Sequence, residues 1–372
     1  MGIRGAVTVV AIALVIGTAG AARAQPAFEH ETLTFQFGEF TGSGELDYPA
    51  GARDAPVVVL IPGSGPEDLN ADQPSGSHIF LDIAADLTSR GYAVMRYNKR
   101  YVHGPGDIEH ADYWSKLDLN GMRDDAEQVL RVAEHDVHVD PRRVFVYGWS
   151  EGSTVAAALA TTHPELAGTV LQGPVALPWQ ATFAYQGEQV YAPYLASYAV
   201  NGKVGPTELE RAFHGDGGRM AKLALTFASE NAAAGDFTVR PSWDIDHDGA
   251  LDVNLEFRPM YQLYLNSVMM QPGGAFEIYN PTRALPSVIE QAPKLTAPVL
   301  ILQGEQDANV PPAAASLLDT ALAATGNRDH TLRLFPGLGH SLGRTPDVLH
   351  DDFQPIDSAA LDALATWLDA HR

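Results

Sequence analysis

The 372-residue sequence contains no cysteine. That absence excludes disulfides, thiolate nucleophiles, thiolate metal sites and lipid attachment through a cysteine. Positive charge is scarce too. Lys and Arg number 24 against 46 Asp and Glu, a formal charge of -22. This balance disfavours nucleic acid and anionic membrane surfaces as partners and otherwise speaks to solubility. Long apolar runs are missing apart from one near the amino terminus, where Arg4 precedes a stretch from Ala6 to Ile16 and Ala22-Arg23-Ala24 follows. The run is shorter than the roughly 20 residues a membrane span needs and carries the small-x-small site of a secretory signal peptide. Residues 1–24 are therefore expected to be removed before Gln25, leaving a periplasmic or secreted chain with no stable membrane insertion. A chain of this size can be stabilised by its core without disulfides.

The stretch around which the rest is organised runs from Val144 to Gly152, Val-Phe-Val-Tyr-Gly-Trp-Ser-Glu-Gly, and continues into Ser153-Thr-Val-Ala-Ala-Ala-Leu-Ala-Thr161. β-branched and aromatic residues predict a short buried strand, the Gly-Trp-Ser-Glu-Gly pentad a sharp turn, and the small-residue run a buried helix. A serine at such a turn is held in a strained conformation with its hydroxyl presented at the sheet's carboxyl edge, provided glycines clear the space on either side. Ser150 is accordingly the expected nucleophile. Gly339-His-Ser-Leu-Gly343 matches the same pattern, but Pro336-Gly337 separates it from the preceding strand and Pro346 opposes a following helix. In that segment His340, not Ser341, is the expected functional residue.

Other segments fall into order around this turn. Residues 31–48 alternate apolar and polar, as an antiparallel hairpin does. Val57 to Ile61 is a continuous apolar run, the mark of a strand covered on both faces, and it leads into Pro62-Gly-Ser-Gly-Pro66. Acyl transfer needs preorganised N–H donors where an oxyanion develops; the backbone N–H groups of Ser64 and Glu151 are expected to supply them. A helix from Phe80 to Arg90, a strand from Ala93 to Tyr97, a helix from Asn120 to Asp136 capped by Asn120, and a strand from Gly168 to Leu171 follow. His135 and His138 sit at a helix end and are expected at the surface. Alternating strands and helices imply a parallel sheet covered on both faces.

Between Pro174 and Pro293 the strand pattern stops. The segment holds 15 of the 32 aromatic residues, among them Trp179, Tyr185, Tyr191, Tyr194, Tyr198, Trp243, Tyr261 and Tyr264, which are expected either to line an apolar pocket or to form the insertion's own core. Within it Asp244, Asp246, Asp248 and Asp252, with Gly249 between them, have the spacing of a calcium loop, although Leu255 stands where a glutamate would close it and Glu256 is next. A structural calcium is the alternative to an exposed acidic turn. The sheet resumes at Pro298–Gln303, followed by Gly304-Glu-Gln-Asp-Ala-Asn-Val-Pro311, a helix from Pro312 to Thr325, a strand from Thr331 to Phe335 and a closing helix from Ala359 to His371. A serine hydroxyl needs a base within reach and an acid that fixes the base's tautomer. Ser150, Asp307 and His340 each follow a predicted strand, in that chain order; Glu305 competes with Asp307 but lies closer to the strand end.

Together these four motifs resemble the α/β-hydrolase superfamily. Arg96-Tyr-Asn-Lys-Arg100 and Ile61-Pro-Gly-Ser-Gly-Pro66 are similar to exported bacterial serine hydrolases near the dienelactone hydrolase and acyl-thioesterase-like branch. Tyr101-Val-His-Gly-Pro-Gly106 departs from the glycine turn usual after the Lys-Arg pair. Trp149 and Glu151 replace the His and the Gln or Gly of many relatives. The resemblance implies an α/β-hydrolase fold with an N-terminal hairpin, a mostly parallel sheet flanked by helices and a helical cap: core over 25–173, cap over 174–293, core again over 294–372. It implies a serine hydrolase acting on a small-molecule ester, with no cofactor required. A peptidase or amidase on short peptides, in which Glu188, Glu208 or Glu210 meets the substrate terminus, a thioesterase, and a non-catalytic ligand-binding protein on the same scaffold are the alternatives. The sequence assigns no oligomeric state.

Overall fold

The computed structural model describes residues 28–372; the expected signal peptide lies outside the described residues. Eight strands form one sheet: β1 (Phe28–Phe37), β2 (Phe40–Pro49), β3 (Ala55–Ile61), β4 (Ala93–Tyr97), β5 (Val139–Trp149), β6 (Gly168–Gln172), β7 (Val299–Gly304) and β8 (His330–Phe335). Their order is β1-β2-β4-β3-β5-β6-β7-β8. Every pairing from β4 to β8 is parallel, and β2 alone runs against its two neighbours. The expected α/β-hydrolase sheet with its N-terminal hairpin is therefore present.

Helices cover both faces because the central strands are apolar on both. All seven residues of β3 are buried. Val57, Val59 and Ile61 point to one side, where α2 (Leu119–Glu134) and α3 (Gly152–Thr162) pack; Val58 and Leu60 point to the other, against α1 (Ile79–Ser89) and the closing helix α5 (Ser358–His371). Each such side chain contributes roughly 1.5–3 kcal/mol of burial relative to exposure, so this layer stabilises the strand ends on which the site depends. The remaining long helix, α4 (Ala313–Thr325), connects β7 to β8.

Several local expectations shift. The helix cap is Asp118 rather than Asn120: Asp118 is extended (φ -145°, ψ 160°) and its carboxylate accepts the Gly121 N–H at 2.8 Å, whereas Asn120 is the second residue of the helix and donates to the Arg283 carbonyl. Tyr101–Gly106 contributes to a small hairpin, Val102–Gly104 with Asp107–Ile108. His138 is only half exposed; its ring stacks on Tyr48 with centroids 3.9 Å apart, and its Nδ1 bonds the Ala52 carbonyl.

Between β6 and β7 the chain is mostly helical, with helices at Trp179–Tyr185, Ala192–Tyr198, Pro206–Phe213 and Arg258–Tyr264, and one two-stranded pair, Lys203–Val204 with Leu251–Asp252, that the sequence pattern did not reveal. Its two ends meet, since the N–H groups of Val288 and Ile289 donate to the carbonyls of Val175 and Ala176, both at 3.2 Å. Among the described residues no helix is long and apolar enough to cross a membrane.

Candidate active site

β5 ends at Trp149 and α3 begins at Gly152, so Ser150 and Glu151 alone make the turn. Ser150 has φ +55°, a left-handed conformation that a residue with a Cβ adopts only when its surroundings impose it. Its N–H is fixed to the Gln172 carbonyl at 2.9 Å. The flanking glycines are steric requirements. A Cβ on Gly148 would stand 2.3 Å from the Gly152 carbonyl oxygen, and one on Gly152 would stand 2.3 Å from that of Ile61.

Asp307, fully buried just past β7, accepts from His340 Nδ1 at 2.8 Å through Oδ2, which also accepts from Gln303 Nε2 at 2.9 Å. Its Oδ1 accepts the N–H groups of Asn309 and Val310 at 2.8 and 2.9 Å. Four donors thus hold this carboxylate in one orientation, while Glu305 is exposed and takes no part. His340 is 1% exposed, and its Nε2 has no partner among the described residues. Gly173 is pressed against the pair, since a Cβ there would lie 2.9 Å from the His340 ring. Ser341 faces the interior, donating to the Gln354 carbonyl at 2.7 Å, and belongs to the support of the loop.

Ser150 and His340 line one cavity of about 420 Å³ without a hydrogen bond between them. Catalytic hydrogen bonds often tighten only once substrate is bound. Ser64 and Glu151 line the same cavity, and neither of their N–H groups finds an acceptor within the described residues. The structure therefore gathers Ser150, His340, Ser64 and Glu151 at one opening, with Asp307 directly behind His340. A second cleft of about 490 Å³, between Arg123, Glu127, His163 and Glu290, contains none of these residues.

The aromatic residues of the insertion divide between the two expected uses. Trp179, Phe183, Tyr191, Phe276 and Tyr279 line the cavity; Trp179 and Tyr279 stack with centroids 4.0 Å apart. Tyr194 packs on Tyr198, and Trp243 on Phe257 and Tyr264, within the insertion. Tyr185 donates its hydroxyl to the Asp307 carbonyl at 2.6 Å.

Four residues that sequence reasoning missed complete the surroundings. Lys99, 2% exposed, donates to the Gly63 carbonyl at 2.8 Å and to Glu151 Oε1 at 2.9 Å. Tyr279 donates to the other Glu151 oxygen at 2.6 Å. Burial alone would depress the Lys99 ammonium, but the Glu151 carboxylate reverses the sign and keeps it charged. Asp351 accepts the N–H of His340; burial, with the nearby Asp307 charge, pushes its carboxyl up to about 6. Glu67 lines the cavity, and burial raises it to about 7, partly offset by Lys99 and Arg219. Only Lys99 had a signal in the sequence, as a lysine two residues past a fully buried strand, within the stretch Arg96–Arg100.

Glu188, Glu208 and Glu210 lie away from the cavity. Glu188 pairs with Arg258, and Glu208 closes a helix cap on the Gly205 N–H. At the acidic loop, oxygens of Asp244, Asp246 and Glu256 lie within 4.8 Å of one another, so Glu256 converges where Leu255 could not. Lys203 Nζ bonds Asp246 at 2.8 Å and also Asp248, while Asp252 caps the N–H groups of Asn254 and Leu255. Asp246 and Asp248 thus already share one ammonium as counter-charge.

The family model described as serine aminopeptidase, S33, matches residues 75–246 and 258–347, segments that contain Ser150, Asp307 and His340. The esterase EstD of Thermotoga maritima is 31% identical over 155 residues, 41% of this chain and 35% of that protein. Among solved structures, the acylaminoacyl peptidase of Pyrococcus horikoshii superposes with a TM-score of 0.51 at 12% identity, covering 93% of this chain and 42% of that one. The chain thus spans well under half the length of either, and the second likeness is one of fold. With the family model matching more than half of the sequence, the chain belongs to the serine aminopeptidase S33 family of hydrolases, within the α/β-hydrolase superfamily.

Proposed function

We propose that the chain is an exported serine hydrolase that cleaves carboxylic esters of small molecules through an acyl-enzyme. The observation that carries this is the sharing of one cavity by Ser150, held at φ +55° at a strand end, and the unpartnered Nε2 of buried His340, whose Nδ1 is bound to Asp307. Asp307 holds the proton on Nδ1, leaving the unpartnered Nε2 lone pair to accept a proton. His340 Nε2 takes the Ser150 proton as Oγ attacks the ester carbonyl, and the amides of Ser64 and Glu151 receive the oxyanion. The same nitrogen then protonates the leaving alcohol. Water, deprotonated by His340, releases the acid and restores Ser150.

A peptidase acting on short peptides is the second reading. Glu67 favours it, as a carboxyl group in the cavity that could meet a substrate amine. The test is hydrolysis of p-nitrophenyl esters from C2 to C12, alongside aminoacyl anilides, by the mature chain and its Ser150→Ala and Ser341→Ala variants. Ester turnover abolished by Ser150→Ala and retained by Ser341→Ala is the expected result. Faster cleavage of anilides than of every ester would transfer the assignment to the peptidase. No turnover of either class would overturn both.

A further inference from the structure

The side chain of Lys99 performs no step of the proposed reaction, yet it is bonded to both segments expected to hold the oxyanion. Its first contact is the Gly63 carbonyl, at 2.8 Å. That carbonyl and the Ser64 N–H belong to one planar trans peptide and point in opposite directions. A cation anchoring the carbonyl therefore fixes where the N–H points, and also polarises the amide, strengthening it as a donor. The second contact is Glu151 Oε1, at 2.9 Å. Glu151 carries the other expected donor on its own backbone, and its remaining carboxylate oxygen accepts the Tyr279 hydroxyl at 2.6 Å. Tyr279 in turn lies against Trp179 in the cavity wall.

Burying a lysine and a glutamate at 2% and 1% side-chain exposure is costly. Well-packed apolar residues would stabilise the same space at least as well. Gly63 shows how little latitude the loop has, because a Cβ there would stand 3.1 Å from the Trp149 ring and 3.3 Å from the Ser150 Cβ.

We infer that Lys99 is a positioning residue that sets both oxyanion donors, through the Gly63–Ser64 peptide and through Glu151, and that Tyr279 ties this setting to the wall of the substrate cavity. The inference rests on the serine hydrolase reading above. It predicts that loss of the ammonium weakens binding of the transition state and spares the ground state.

The experiment compares wild type, Lys99→Met, the charge-balanced Lys99→Met/Glu151→Gln double variant and Tyr279→Phe. Each is assayed for kcat and KM on the best p-nitrophenyl ester, for inhibition by a trifluoromethyl ketone that forms an oxyanion on the serine, and for thermal midpoint. For Lys99→Met the expected result is a fall in kcat of about ten- to a hundredfold with KM within about threefold, and a matching loss of ketone affinity. Tyr279→Phe, which leaves both charges in place, should lose kcat severalfold in the same pattern. Unchanged kcat in the folded variants overturns the inference, as does a fall in kcat with ketone affinity intact. Should both Lys99 variants fail to fold, Tyr279→Phe decides by the same two readouts. Labelling with a fluorophosphonate separates the levels of failure: a wild type unlabelled at Ser150 overturns the hydrolase reading together with this inference, whereas labelled, active wild type with an indifferent Lys99→Met overturns the inference alone.

Discussion

One oxygen of Asp351 accepts the backbone N–H of His340 at 2.9 Å and that of Ala308, the residue after Asp307, at 3.1 Å. A single buried carboxylate therefore spaces the loop that carries His340 from the loop that carries Asp307. Asp351→Ala leaves two buried amides unpaired, each costing roughly 1–3 kcal/mol, partly offset by removing a charge beside Asp307. A net loss of about 2 kcal/mol in urea unfolding and a fall in kcat of roughly tenfold are expected, with Asp351→Asn, which keeps an acceptor oxygen, much closer to wild type.

Asp307 and Glu305 are two residues apart, but only Asp307 reaches the histidine. Asp307→Asn should lower ester kcat on the order of a thousandfold or more by favouring the wrong His340 tautomer, and Glu305→Gln should leave it within twofold. Steady-state kinetics of the two variants check this. Equal losses would place the acid elsewhere.

Glu67 gives a pH signature. Its carboxyl is raised to about 7 from an ordinary 4.5, with burial as the leading cause. The folded chain therefore binds a proton more tightly than the unfolded chain, and the stability that this contributes is fully present below pH 4.5 and lost as pH rises through 7. Glu67→Gln, which can still accept from Gln73 Nε2, should raise the thermal midpoint relative to wild type at pH 8 by an amount that corresponds to no more than about 3 kcal/mol. The difference should vanish near pH 4.5. A constant difference across that range would contradict the assignment.

Lys203 stands between the acidic loop and calcium. With its ammonium on Asp246 and Asp248, the wild-type midpoint should move little between EGTA and millimolar calcium. In Lys203→Met the carboxylates of Asp246 and Asp248 lose their counter-charge. That variant should melt lower in EGTA and recover with calcium but not with equal ionic strength of sodium. Equal calcium shifts in both proteins would count against competition by Lys203.

Strand ends and backbone requirements were legible because they are local. β3 and the last part of β5, from Val144, are written in apolar runs, and Gly148, Ser150 and Gly152 in the spacing of a turn that admits no Cβ at either glycine. The choice of His340 over Ser341 followed from two prolines. Lys99, Asp351 and Tyr279 were not legible in the same way. Their partners lie 52, 11 and 128 residues away for Glu151, His340 and Glu151 respectively, and those of Asp351 are backbone amides, which no residue pattern encodes. The shift of the cap from Asn120 to Asp118 has a simpler cause: both residues can cap, and the first extended backbone position took the role.

The insertion leaves the sheet and returns to it at one place, where Val288 and Ile289 are bonded to Val175 and Ala176. A segment that enters and leaves at one place can be exchanged as a unit, changing what the cavity admits while the strand ends that carry Ser150, Asp307 and His340 stay where they are. Bonds to the core limit that freedom: Tyr185 donates to the Asp307 carbonyl, Gln186 to that of Asn309, and Tyr279 to the Glu151 carboxylate. Any replacement must bring its own hydroxyl to Glu151 in place of Tyr279, so the lineage of such exchanges should be readable in what faces that carboxylate.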